Sequence, residues 1–125
     1  MNIYLFDFDN TIVSLPYEET IEFLDQEESL APNLNFTAIV KTRKDYIKYS
    51  NYDPDGLFLL LSNRRMEVKE PLITLLNNFG YGLEDYYLID SEDRNKGNRV
   101  KKILNKYTNC TSIKYWEDKI NILSR

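Results

Sequence analysis

The chain has 125 residues, of which 42% are hydrophobic and 29% charged, and its formal net charge is −4. These figures describe one globular domain with a single core. They exclude a disordered or fibrous chain and give no long-range attraction for nucleic acid, although a local basic patch would still bind a nucleic-acid end. Histidine is absent, which removes Ser-His and Cys-His catalysis and His-ligated zinc and leaves acid–base chemistry to carboxylates, Lys or Tyr. The single cysteine, Cys110, forms no internal disulfide and suits a reducing compartment. No apolar run reaches membrane-spanning length, and no basic segment followed by a long apolar one marks a signal peptide, so a cytoplasmic protein is expected. Asn, Ile, Lys and Tyr are plentiful, a usage common in proteins of AT-rich genomes, many viral ones included.

In chain order, Met1–Phe8 reads as a buried strand, because Ile3, Tyr4, Leu5, Phe6 and Phe8 form a nearly continuous apolar run. The stretch 14–55 is harder to read. It holds Pro16, the acidic "EETIEFLDQEES" and the polar "APNLN". A short amphipathic helix around Ile21 and Leu24, with or without a hairpin, is expected as an insertion over one edge of the sheet. Thr42 and Asp45 resemble a helix start before "YIKYSN", which would return the chain to the sheet. "DPDG" is a β-turn signal before a second strand, Gly56–Ser62. "EPLITLLNNFG" then reads as a helix with Pro71 in its first turn and Gly80 at its end. "YYLID" is a third strand, Tyr86–Asp90. Val100, Ile103, Leu104 and Tyr107 recur at i, i+3, i+4 and i+7, one face of a helix. "TSIKYWED", Thr111–Asp118, is a weaker fourth strand. Strands alternating with helices predict a parallel sheet covered on both faces, a three-layer α/β sandwich whose ligands bind at the carboxyl ends of the strands.

Asp7 and Asp9, Ser62, and the pair Glu117–Asp118 all fall at such ends. Residues i and i+2 of an extended segment point the same way, so Asp7 and Asp9 would repel each other. Repulsion raises the pKa of one carboxyl, and a divalent cation relieves part of it. Phosphoryl transfer uses such an arrangement, with an anionic nucleophile, a metal to screen charge and an acid for the leaving oxygen. A calcium loop starting at Asp7 would put Glu18 at its twelfth position, but Ile12 stands where Gly is needed and Pro16 interrupts it. An exposed acidic turn is the other alternative, against which the apolar flank argues.

"LFLLLSNRR" ends a strand on Ser62, Asn63 and Arg64, whose hydroxyl, backbone N–H and guanidinium suit phosphate oxygens. A turn bearing two solvated arginines reads equally well there. Lys96, near a helix start in "EDRNKGNRVKKIL", would offset negative charge at a reacting phosphate, with Arg94 as its competitor and an ordinary surface lysine as the bland reading. Glu117 and Asp118 suit magnesium, which takes a few carboxylates plus water, or they are the acidic start of a helix.

Taken together, "FDFDNT", the strand ending "SNR", the lysine at a helix start and the acidic "YWED" resemble, in order, the four motifs of the haloacid dehalogenase superfamily and span Ile3 to Asp118. That resemblance implies a Rossmann-like sandwich of residues 1–125 with a short cap insertion at about 14–55. It implies a Mg²⁺-dependent phosphomonoesterase in which Asp7 attacks phosphorus, Asp9 serves as acid and base and Lys96 bridges nucleophile and phosphate. Thr11, Ser62, Asn63 and Arg64 would bind substrate. Asp7, Asp9 through its carbonyl, Glu117 and Asp118 would hold the metal. The compact layout is also similar to small members of the superfamily associated with nucleic-acid end repair. A short cap leaves the pocket open and favours bulky substrates such as nucleic-acid ends or phosphoproteins over small metabolites, with a nucleotide or another small phosphate ester also open as the phosphorylated substrate. A non-catalytic phosphate- or metal-binding module on the same scaffold is the rival expectation; a phosphotransferase would need a larger cap. No membrane and no obligate protein partner are expected.

Overall fold

The structure, a computed structural model, describes residues 1–14, 36–90 and 95–117. In chain order the elements are β1 (Asn2–Phe6), β2 (Val13–Ser14), β3 (Thr37–Ala38), α1 (Val40–Tyr52), β4 (Leu57–Arg65), a 3₁₀ turn (Met66–Val68), α2 (Lys69–Asn78), β5 (Asp85–Ile89), α3 (Lys96–Lys106) and β6 (Ser112–Trp116). Four strands form one parallel sheet in the order β5-β4-β1-β6. The short strands β2 and β3 pair antiparallel, Val13 opposite Ala38. The amphipathic helix expected near Ile21 and Leu24 lies outside the described residues.

The alternation of β1 and β4 explains why both read as unbroken apolar runs. Tyr4, Phe6, Phe58 and Leu60 face one core cluster, where Leu72 and Leu76 of α2 and Tyr46 and Tyr49 of α1 cover them. Ile3, Leu5, Leu59 and Leu61 face the other, closed by Ile103 and Val100 of α3. Each fully buried Leu or Ile contributes about 1.5–3 kcal/mol, so a strand buried on both faces carries no polar alternation. The chain steps outward from β1 to β4 to β5 with α1 and α2 on one face. It then returns across β1 to β6 with α3 on the other, as right-handed crossovers require. Strand order therefore reverses at β1, and the crevice outside its carboxyl end is the topological switch point. No helix among the described residues is long and apolar enough to cross a membrane.

Several local expectations meet their physical reason here. Pro71 sits in the first turn of α2, and Gly80 past its end has φ +87°, the left-handed conformation glycine adopts without strain. The "DPDG" turn closes with Gly56 N–H donating to Asp53 O at 3.0 Å. Other expectations are corrected. Helix α1 begins at Val40, so Thr42 lies inside it and its hydroxyl donates to Thr11 O at 2.6 Å instead of capping. Strand β4 does not stop at Ser62 but runs on to Arg65. Three residues, Ser62 to Arg64, stand between two pairs (Leu61 with Tyr87, Arg65 with Ile89) that only Leu88 separates on β5. Such a bulge re-aims side chains at a strand end. The buried face of α3 is carried by Arg99 and Ile103, and Leu104 is 41% exposed.

Candidate active site

The ladder between β1 and β4 ends at Phe6, and Asp7 follows with its N–H donating to Trp116 O at 2.9 Å. The backbone is thus held to β6 while the side chain turns into the switch point. Asp7 is only 5% exposed. Its Oδ1 accepts from the Phe8 N–H at 2.8 Å, and its Oδ2 is 3.2 Å from Lys96 Nζ. Burial pushes the Asp7 carboxyl up to about 6, against the pull of Lys96 and the Phe8 N–H, with nearby Asp9 adding a small push. Lys96 is the first residue of α3, a helix capped by Asn95, whose Oδ1 accepts from the Gly97 N–H at 2.8 Å. The same ammonium donates to Tyr115 Oη at 3.1 Å and stands 4.0 Å from Glu117 Oε1. A strand tip, a helix start and the residue after a second strand tip thus converge on one positive charge.

Asp9 belongs to a different arrangement. Beyond Phe8 the chain folds into a tight turn in which Phe8 O accepts from the N–H groups of Thr11, Ile12 and Val13 at 3.2, 3.0 and 3.3 Å. Asn10 takes φ +58° there, a conformation Asn tolerates. The turn directs Asp9 toward the bulge of β4. Arg64 holds it with two donors, Nε to Oδ2 at 3.0 Å and Nη2 to Oδ1 at 2.5 Å. The guanidinium is buried, lying 5.2 Å from the Phe8 ring centre and 5.9 Å from that of Phe36. Burial lowers its pKa while Asp9 raises it. Thr11 Oγ1 is buried and makes no hydrogen bond among the described residues.

Ser62 is fully buried, and its Oγ accepts from the Arg64 N–H at 3.1 Å within the bulge. Arg99 of α3 fixes this stretch from the other side: Nη1 donates to Ser62 O at 2.7 Å, and Nη2 to Asn63 Oδ1. The sequence reading did not single out Arg99, which is buried. Its signal is spacing, three residues after Lys96 and four before Ile103, on the stripe that faces the sheet.

The structure therefore brings Asp7, Lys96 and Glu117 together, and pairs Asp9 with Arg64, whose expected substrate role competes with that pairing. Ser62 and Asn63 are held at the neighbouring strand end. Asp118 and Arg94 lie outside the described residues. Among the described residues, no group of three or more Asp, Glu or Cys side chains stands close enough to hold a metal. The donor chemistry still fits a hard cation. Magnesium takes one or two carboxylates and keeps several waters, and the carboxylates of Asp7 and Glu117 already converge on a cation, the Lys96 ammonium. No family model, no curated protein and no solved structure matches the chain.

Proposed function

We propose that the chain is a Mg²⁺-dependent phosphomonoesterase of haloacid-dehalogenase type, working through an aspartyl-phosphate on Asp7. The observation that carries this reading is Asp7 itself, a buried carboxylate at the topological switch point with the Lys96 ammonium at 3.2 Å and Glu117 beside it. Burying a carboxylate is costly unless it is paired, and the fold supplies the partner from a helix start rather than from a neighbour on the same strand. In the first half-reaction Asp9, released by Arg64, first takes a proton from solvent; Asp7 Oδ attacks phosphorus, the ester P–O bond breaks, and that proton passes to the departing alkoxide. In the second, Asp9 takes a proton from water as that water attacks phosphorus, the bond to Asp7 breaks, and inorganic phosphate leaves. Lys96 offsets the negative charge gathered on the phosphoryl oxygens. A bound magnesium, held by Asp7 and Glu117, would supply charge screening at the same oxygens. Turnover requires Arg64 to release Asp9, and the freed fork then suits two phosphate oxygens.

The experiment is phosphate release from p-nitrophenyl phosphate with Mg²⁺, against a chelated control and Asp7→Asn. Release that depends on both metal and Asp7 is expected; an Asp7→Asn protein with full activity removes the nucleophile assignment. A second reading, a phosphate- or metal-binding module without turnover, draws on the Arg64 fork, which occupies both Asp9 oxygens. It requires that no ester release phosphate while the protein still binds inorganic phosphate or Mg²⁺.

A further inference from the structure

An open pocket of about 410 Å³ adjoins Lys96 on the α3 face of the sheet, within the size range of small-molecule sites. Val100, above the buried Leu61, gives it an apolar wall, Tyr115 adds an aromatic ring, Asn63, Asn95 and Lys96 add polar side chains, and Gly97 completes the lining. Lys96 connects it to the proposed nucleophile, since its side chain lines the pocket while its ammonium meets Asp7 Oδ2 at 3.2 Å.

The polarity of the lining can be assigned at two positions. A guanidinium only donates, so the Asn63 atom facing Arg99 Nη2 is Oδ1, and what Asn63 keeps for a ligand is its amide N–H₂. The Lys96 ammonium likewise only donates. An apolar and aromatic wall with donors beside it suits a flat ring that carries carbonyl acceptors.

We propose that this pocket binds the ring of an oxo-pyrimidine nucleotide, uracil- or thymine-like, whose phosphoryl group reaches Asp7. The proposal rests on the phosphomonoesterase reading and names its substrate class. A pyrimidine ring places its acceptors on its edge and its faces against Val100 and Tyr115. Lys96, already held by Asp7 and Tyr115, stands between ring and phosphate, and the donor left for the ring is the Asn63 amide.

Two measurements test it. In the first, uridine, which has no phosphate to hydrolyse, is titrated into the wild-type protein while the amide resonances of Gly97 and Val100 are followed. Saturable shifts of both are expected, and their loss in Val100→Phe, which fills the pocket. Resonances unmoved at millimolar uridine overturn the proposal. In the second, kcat/KM is compared for uridine 5′-monophosphate and glycerol 2-phosphate. Val100→Phe is expected to lower the first by about tenfold or more and the second by less than about twofold, the discrimination a hydrophobic pocket supplies. Equal loss on both substrates overturns the proposal. Thermal melting checks that Val100→Phe is folded, and Val100→Met replaces it if it is not. Uridine binding without phosphate release from any ester would leave the ring pocket standing and remove the hydrolysis, so the two failures are distinguishable.

Discussion

The two sides of β1 treat two neighbouring aspartates differently. On the β6 side, Asp7 is almost fully buried and meets a lysine, a single ammonium on a flexible stem shared with Tyr115 and approached by Glu117. On the β4 side, Asp9 is more open, its side chain 17% exposed, and an arginine grips both of its oxygens while lying against the Phe8 and Phe36 rings. Burial leaves the first carboxyl burdened in spite of its lysine, its pKa up at about 6. The second pairing satisfies both acceptor oxygens by a rigid fork. The contrast teaches which acid is poised and which is restrained: a point charge can be shared with a third group, whereas a bidentate contact must break before its carboxylate can act.

The sharpest way to break this contrast is at Lys96. Lys96→Met is expected to lower kcat on p-nitrophenyl phosphate by about 10²–10³, the scale of one preorganised charge at a reacting oxygen. A variant within a factor of a few of wild type would return Lys96 to the status of a structural ion pair. Next comes Arg64. Arg64→Met leaves Asp9 facing a buried apolar neighbour and is expected to cost about 2–4 kcal/mol in denaturant unfolding. Asp9→Asn in the same background should recover part of that loss. Independent, additive costs would mean that the fork contributes nothing to folding.

A somewhat smaller effect concerns Asp7 and pH. Burial holds its folded pKa at about 6, above the ordinary range of an aspartate, so the folded protein binds more protons than the unfolded chain between about pH 4 and 6, and stability falls as pH rises through that window. For metal-free protein in chelator the Asp7 contribution is about 2–3 kcal/mol. Urea titrations of wild type should show this descent, and those of Asp7→Asn should lack it; parallel curves for the two proteins would place the burden elsewhere. The mildest change is Arg99→Lys. Lysine keeps the charge but cannot span Ser62 O and Asn63 Oδ1 together, so a stability loss of about 1–2 kcal/mol and a raised KM are expected. An unchanged KM would show that Arg99 supports the fold without setting the position of Asn63.

Much of the frame was legible because burial on both faces leaves a plain trace. The apolar runs of β1 and β4, the Pro71 and Gly80 punctuation of α2 and the strand–helix alternation all report local physics. What stayed hidden depends on a second segment. A bulge is a mismatch between two strands, so "LFLLLSNRR" alone cannot show that β4 continues past Ser62. Arg99 looks like any solvated arginine until the carbonyl of Ser62 is brought beside it. Arg64 reads as a phosphate ligand from its neighbours in sequence, and its hold on Asp9 appears only when the turn at Asn10 folds back. Leu104 fits the helical period as well as Ile103 does, and only the docking angle of α3 decides which is buried. Thr42 resembled a cap because threonine hydroxyls satisfy backbone groups, and this one does so with the carbonyl of Thr11, across the molecule.

Trp116 is the sole tryptophan of the chain and stands one residue before Glu117. Its indole stacks on Phe6 with ring centres 4.5 Å apart, and its N–H donates to Asp45 of α1 at 3.1 Å. Any rearrangement of the acidic strand tip must therefore pull on a ring wedged between the central strand and a covering helix. The protein carries its own optical reporter, and its ultraviolet emission, recorded without label or substrate, would register the arrival of an ion at the neighbouring carboxylate.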